Sequence, residues 1–192
     1  MATACDILQK SLKWCQGTPV YPGVRSRAYY INKSDIVKWP TLAKGTAGNY
    51  TSAKYVGNFT LAAEKKWLAI DHDVKSSQLT SEAQGEVPSQ TQLNKLSLVH
   101  QGVGAEASEG ALYMNNCDCV FLVAGMDGQF RVVGSELWPT KTTVAQDTGQ
   151  GATGTASTTI SVEATDVCPA PFYPGKIETE DGDIMGDGSE VA

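Results

Sequence analysis

The sequence contains little of what catalysis, metal binding or membrane insertion commonly requires. Its 192 residues include two histidines and five cysteines, with no Cys-x-x-Cys and no Gly-x-Ser-x-Gly motif. No stretch approaches the roughly 18 consecutive apolar residues of a membrane-spanning helix. The first residues lack the basic segment and apolar run of a secretion signal, so we expect that they are not a signal peptide.

Positive charge is also scarce. Lys and Arg number 15 against 21 Asp and Glu, which gives a formal net charge of -6. This balance argues against nonspecific binding to nucleic acid, because a polyanion would be repelled. Apolar residues make up 41% of the chain and charged residues 19%, which is typical of one folded domain with a sizeable core.

The cysteines do not suggest a metal site. Cys117 and Cys119 are the only close pair, and two residues on the same face of a strand share a zinc ion poorly. We therefore predict buried, reduced thiols, no metal and no cofactor. The five cysteines are Cys5, Cys15, Cys117, Cys119 and Cys168.

Alternating apolar and polar residues predict a mainly β protein of six to eight strands. The near-continuous apolar run at 118–124 indicates a buried central strand, which a turn at 125–128 would pair with 129–133. Parallel β/α alternation is missing, so we expect an antiparallel sandwich or barrel. The other predicted strands are 25–32, 36–39, 55–61, 66–70, 90–101 and 158–164. Ile160, Val162 and Ala164 should face inward.

Two helices are predicted. One runs from Thr3 to Gly17 and one lies within 105–116. The first would pack on its own domain or dock on a neighbouring subunit. The resulting division of the chain is an N-terminal helical arm (1–17), a β-sandwich or barrel domain (18–177) and an acidic C-terminal tail (178–192).

Three segments resemble ligand-binding motifs, and each fails a test of context. Residues 71–73 (Asp-His-Asp) cannot all face one ion from a strand, and His100 has no assignable partner. Residues 149–154 match the pattern Gly-x-Gly-x-x-Gly. A nucleotide-binding pattern of this kind should open a helix, whereas the residues that follow here are predicted to form a strand. Residues 181–187 lack the final Glu of a calcium loop, although weak calcium capture stays open. We predict no catalytic, cofactor-binding or metal-binding residue.

Strand-borne arginines are the clearest candidates for contacts. They lack an accompanying basic cluster, so we expect salt bridges to acidic groups within or between subunits. The candidate subunit-interface residues are Arg25, Arg27, Tyr29, Tyr30, Trp39 and Arg131. The polar segments 44–53, 74–89 and 140–155 are predicted as loops that could form further contacts.

Residues 24–36, 119–134, 158–164 and 169–175 together resemble the major tail (tail tube) proteins of tailed bacteriophages that infect gut Bacteroidetes. The resemblance covers roughly residues 20–177. It implies a β-sandwich or barrel with a flanking helix, assembled as hexameric rings that stack into a tube with an acidic lumen. Tail tube proteins have no catalytic residues, so the resemblance also implies a protein that is not an enzyme.

The expected function is therefore that of a virion structural protein, made in the cytoplasm of a bacterial host. Its partners would be copies of itself, other tail proteins and transiently passing phage DNA, with no membrane. Another virion component (a capsid decoration, head–tail connector or neck protein) is one alternative. A carbohydrate-binding sandwich is the other, and it would expose Trp67, Trp138 and Tyr173 on one face.

Overall fold

Strands account for most of the regular structure. A computed structural model of the chain describes residues 11–46, 48–187 and 189. The strands in these residues are β1 (Val24–Asn32), β2 (Ile36–Lys38), β3 (Thr41–Lys44), β4 (Tyr50–Val56), β5 (Thr60–Leu61), β6 (Leu68–Asp71), β7 (Gln78–Gln84), β8 (Thr91–Gln101), β9 (Cys119–Gly125), β10 (Phe130–Val133), β11 (Thr140–Asp147), β12 (Ser157–Asp166), β13 (Phe172–Tyr173), β14 (Lys176–Thr179) and β15 (Gly182–Met185). One α-helix, α1 (Ala105–Met114), is present in the described part, and it confirms the predicted mid-chain helix.

Two large sheets build the sandwich. Sheet I has seven strands in the order β3-β4-β13-β10-β9-β1-β6, and sheet II has four in the order β11-β12-β8-β7. The pairs β2–β5 and β14–β15 form two further small sheets. All pairings are antiparallel except that of β13 with β4. The mainly β, antiparallel class predicted above is confirmed.

Strand β9 lies in the middle of sheet I and is buried on both faces. It pairs with β1 on one side and with β10 on the other, as the apolar run and the turn after it predicted. Its six residues from Cys119 to Ala124 are at most 2% exposed. Alternate side chains therefore enter two different cores. Cys119, Phe121 and Val123 belong to the core shared with sheet II, and Val120, Leu122 and Ala124 to the core on the opposite face.

The core between the sheets is mainly aliphatic. Leu96 and Leu98 of β8 lie beside Ile160 and Val162 of β12, and each is at most 2% exposed. Strand alternation turns every second side chain inward, which confirms the predicted inward face of 158–164.

The opposite face of sheet I carries an aromatic cluster around Phe59. The ring centroid of Phe59 lies 4.9 Å from that of Tyr173 and 5.3 Å from those of Trp39 and Trp67. The Tyr173 hydroxyl donates to Lys176 O at 2.7 Å and accepts from the Phe59 N–H at 3.1 Å. The hydroxyl of the buried Tyr173 therefore has hydrogen-bond partners, as a buried tyrosine usually requires.

The predicted strand over 55–61 is wrong in its continuity. β4 ends at Val56 and β5 begins at Thr60, and the chain turns between them at Gly57, whose φ is +90°. Glycine adopts this left-handed conformation without the steric cost of a Cβ. Alternation continued across the break, so periodicity alone suggested one strand.

The N-terminal helix is not confirmed. Residues 1–10 lie outside the described residues, and 11–15 have no regular secondary structure. Leu12, placed on the apolar stripe of that helix, is fully exposed. A helix this short depends on packing of its apolar face, and the described part of the arm has no such packing.

The three polar segments predicted as loops contain strands, so that prediction is corrected. β4, β7 and β11 occupy much of 44–53, 74–89 and 140–155. β7 and β11 are the two edge strands of sheet II. Each of them has one face and one backbone edge in contact with solvent. Polar, threonine-rich sequences are compatible with such strands, but they lack the apolar alternation that would have revealed them.

Phe121 offers a test of this architecture, because it is fully buried between the sheets. We expect Phe121→Ala to lower the free energy of unfolding by about 3–5 kcal/mol through lost burial and a residual cavity. Leu112→Ala is the control, since Leu112 is 71% exposed on α1, and should change it by less than about 0.5 kcal/mol. Urea denaturation of both variants measures the difference, and equal effects would contradict the assignment of this core.

Candidate functional site

Arg27 joins three segments at one margin of sheet I. Its Nε and Nη2 donate to the two carboxylate oxygens of Asp71 at 2.6 and 3.1 Å, and its Nη1 to Asp181 Oδ2 at 3.0 Å. This contact holds the pKa of Asp71 below its usual value, mainly through the hydrogen bond from Arg27. The expectation of a salt bridge is met within the subunit. All three side chains are over 40% exposed, so the stabilisation is modest.

The other two arginines also contact their own chain. The guanidinium carbon of Arg131 lies 3.9 Å from the ring centroid of Phe172, a cation–π geometry. The guanidinium of Arg25 lies against the turn at Gly128, where a Cβ would stand 2.9 Å from Nη2. Arg25 and Arg27 remain exposed, whereas Arg131 is half-buried.

Two of the predicted interface residues are in the core. Tyr29 is 8% exposed and Trp39 is 9% exposed, and both belong to the aromatic cluster. They offer another subunit little surface, because their side chains pack within their own subunit, and their role at an interface stays a prediction. Tyr30 is half-buried, and its ring stacks on Phe121 with centroids 6.0 Å apart.

The Asp-His-Asp segment does not converge on one point. Asp71 contacts Arg27, while Asp73 accepts from Ser76 Oγ at 2.8 Å. His72 is buried, and desolvation lowers its pKa. His100 Nδ1 lies 2.7 Å from the carbonyl oxygen of Asp71. Among residues 11–46, 48–187 and 189, no three His, Cys, Asp or Glu side chains are grouped as metal ligands would be.

The glycine motif and the acidic segment are both structural. Residues 149–154 connect β11 to β12, and a Cβ on Gly154 would stand 2.2 Å from Gln150 N, so glycine is needed for a tight hairpin connection. Asp181 contacts Arg27, and Asp183 lies 2.7 Å from Lys176 Nζ. These two carboxylates therefore already have cationic partners.

The cysteines are free thiols in the described part of the chain. Cys119 is buried and Cys15 is exposed, while Cys117 and Cys168 are half-buried. The prediction of buried thiols thus holds for Cys119 and is wrong for Cys15. Cys5 lies outside the described residues. Burial raises the pKa of Cys119 and Cys168 to about 12, which keeps both thiols protonated and unreactive at neutral pH.

A cavity of about 250 Å³ lies beside α1. Tyr30, Ile70, Met114 and Ile160 supply much of its apolar wall, and His100 is among its polar residues. The imidazole of His100 already contacts a backbone carbonyl, so this polar group has a partner within the chain.

A carboxylate that the sequence reasoning missed lies in a different cavity. Asp166 ends β12 and is 4% exposed. Its Oδ1 accepts from the Val167 N–H at 2.6 Å, and its Oδ2 has no hydrogen-bond partner among the described residues. Burial raises the pKa of Asp166 to about 6. Alternation from Ile160 through Val162 was the available signal, since it directs position 166 inward as well.

Aromatic side chains line the cavity that Asp166 borders. The cavity measures about 170 Å³, and Trp39, Tyr50 and Tyr55 line it together with Lys44 and Glu136 of the adjoining segments. We refer to it as the Asp166 cavity. It combines an unpaired buried acid with aromatic rings, which is the kind of site where ligands are bound.

Comparison of the chain with family models, curated proteins and solved structures found no match. No helix in the described ranges has the length and hydrophobicity needed to cross a bilayer. The fold defines a class, a mainly β sandwich with a helix at its side, and function must be argued from its surfaces.

The unpaired carboxylate of Asp166 leads to a prediction about stability and pH. Its pKa in the folded state, about 6, exceeds the value of about 3.9 expected when unfolded. The folded protein therefore holds the proton more tightly, and stability falls as pH rises from about 4 to about 6. Above that range the ionised group destabilises the fold.

Asp166→Asn removes this charge and retains the acceptor for Val167. We expect it to raise the free energy of unfolding by roughly 1–3 kcal/mol at about pH 7.5 and to change it little at about pH 4. Urea denaturation at the two pH values tests this. Glu163→Gln, an exposed change on the same strand, is the control. A destabilised Asp166→Asn at the higher pH would contradict the prediction.

Proposed function

We propose that this protein is a bacteriophage virion structural protein, and specifically a tail tube subunit that forms hexameric rings stacked around a DNA-conducting channel. The observation that carries the proposal is the open edge of sheet II at β7, in a sheet with a polar outer face. The family resemblance of the strand segments supports the same function. Other tail proteins would be its further partners, and the virion its location.

The directions in which the backbone N–H and C=O groups of β7 point follow from the hydrogen bonds of the neighbouring strand β8. On the β7 side of β8, the Val99 N–H donates to Ser77 Oγ and the Val99 carbonyl accepts from Asp73 N. Backbone groups alternate in direction along a strand, so Ser97 also points toward β7, and its partner Gln78 points back.

The same alternation indicates which backbone groups of β7 point away from sheet II. The N–H groups of Leu79, Ser81 and Ala83 point away from β8, and no described strand pairs with that edge. An edge of this kind is a template for strand addition. A neighbouring subunit that covered it would continue the sheet.

The two edges of sheet II differ, which suits a head-to-tail ring. On β11, the Thr140 N–H donates to Asp118 Oδ1 at 2.9 Å and the Val144 N–H to Asn115 Oδ1 at 2.7 Å. These side chains, close to the end of α1, already occupy part of the β11 edge. A ring requires two different surfaces that complement each other, so β7 would contact another surface of the next subunit.

The outer face of sheet II suits the lining of a channel. Gln78, Ser97, Ser161 and Thr143 are cross-strand neighbours in one row. Two opposite pairs of charges lie on this face: Lys95 contacts Glu82, and Lys141 contacts Glu163. A hydroxyl-rich face without net positive charge would let DNA pass, because phosphate binding requires unpaired cations.

The carbohydrate-binding alternative loses its structural basis. Trp67 is 1% exposed and Tyr173 is 0% exposed, and both contact Phe59. They cannot form the exposed aromatic platform that this alternative predicted. Another virion component remains the second hypothesis, since the same edge could serve a connector or decoration protein.

Electron microscopy of the purified protein tests the proposal. We expect rings of six subunits and, at high protein concentration, tubes with an axial repeat. A closed ring that never stacks would favour a connector or neck protein. Monomers under all conditions would contradict the proposal.

Ala83→Pro tests the edge directly. Proline removes the outward N–H and leaves the inward bonds of β7 intact, because the N–H of Ala83 does not face β8. We expect rings and tubes to be lost while the thermal unfolding midpoint falls by only a few degrees. Ala83→Val retains the N–H and should assemble as the parent does. Normal assembly of Ala83→Pro would exclude β7 as the ring contact.

A further inference from the structure

The Asp166 cavity places a buried, unpaired carboxylate among aromatic side chains. Asp166 is 4% exposed, and its Oδ2 has no hydrogen-bond partner in the described part of the chain. An ionised carboxylate in such surroundings is costly unless a proton or a cation neutralises it. The cavity of about 170 Å³ next to it leaves room for a cation.

We propose that this cavity binds a small alkylammonium ion, with the Asp166 carboxylate as counter-ion and Trp39, Tyr50 and Tyr55 around the alkyl chain. An ammonium group brings three donors and one positive charge, so it would neutralise the carboxylate from the cavity. Because Oδ2 is itself buried, a rotation of the Asp166 side chain would bring this atom to the ammonium group. Aromatic rings add attraction for a cation through their electron-rich faces.

The charges of the cavity wall favour a monovalent cation. Asp166, Glu136 and Lys44 are its charged side chains, and their sum is -1 when all are ionised. No ion pair within 4.0 Å joins Lys44 to Asp166 in the described residues. Instead, Lys44 Nζ lies 4.9 Å from the ring centroid of Tyr50. An anion would face a net negative wall, whereas a monovalent cation would balance it.

Other ligand classes fit the cavity less well. A divalent metal ion takes several oxygen or nitrogen ligands, and the described residues contain no group of three ligating side chains. A sugar could stack on the rings but would leave the buried charge uncompensated. The combination of one buried carboxylate with an aromatic wall therefore favours an organic cation.

Two kinds of ligand carry an alkylammonium group, a free amine and the side chain of a lysine in a peptide. The probes are n-butylammonium chloride for the first and Nα-acetyl-lysine amide for the second. The neutral n-butanol and sodium chloride at matched ionic strength are the controls. Tighter binding of the lysine amide would indicate a peptide ligand, and tighter binding of n-butylammonium a free amine.

Amide and indole N–H chemical shifts in ¹⁵N-labelled protein provide the measurement. At about pH 7.5, n-butylammonium should produce saturable shifts of the Val167 amide and the Trp39 indole. Asp166→Asn should weaken binding about tenfold or more, as expected for a lost buried charge pair. Lys44→Gln should strengthen it, since it removes a competing cation from Tyr50. Shifts that n-butanol reproduces, or that Asp166→Asn shows with the affinity of the parent protein, would overturn the proposal.

Proton competition gives a second readout. The titratable groups around Asp166 are Lys44 on β3, Tyr50 and Tyr55 on β4, and Glu136 and Cys168 in the adjoining loops. Because a proton and the ammonium compete for one carboxylate, affinity should fall about tenfold per pH unit below about pH 6. The residual binding of Asp166→Asn should lack this dependence. An affinity of the parent protein that is constant between about pH 5 and about pH 7 would also overturn the proposal.

Discussion

Strand β9 supplies alternate side chains to two separate cores, so burial on one of its faces depends on burial on the other. Phe121 and Val123 pack toward sheet II, while Leu122 packs toward the aromatic cluster. A strand that is apolar on both faces cannot lie at a surface without exposing one of them. Sheet II, sheet I and the aromatic cluster therefore form three successive layers, and β9 belongs to the middle layer.

This arrangement leaves the polar chemistry at the margins of the sheets. Arg27 joins β1, β6 and the turn before β15 by contacts that span the chain from residue 27 to residue 181. Asp166 differs from these exposed ion pairs, because it ends an inward-facing row and yet carries a carboxylate. Its position costs stability when the carboxylate is ionised.

The sequence predicted elements well where apolar alternation was strong. The β9–β10 hairpin, the inward row beginning at Ile160 and α1 were all foreseen in place. The polar edge strands β7 and β11 were missed, since the backbone of β8 or β12 supports each of them and no apolar stripe was needed. Of the candidate site, alternation could have placed Asp166 inward. It could not have shown that Trp39 and Tyr50 line the same cavity, because they come from segments more than a hundred residues earlier.

Local order along the chain thus specified which residues alternate and which strand had to be central, because periodicity is a property of neighbours in sequence. The fold determined which face each residue covers and what it meets there. Tyr29 and Tyr30 are adjacent, yet one belongs to the aromatic cluster and the other stacks on Phe121 beside sheet II. That difference depends on pairing between distant strands, and the free energy of such pairing comes from contacts that no local pattern encodes.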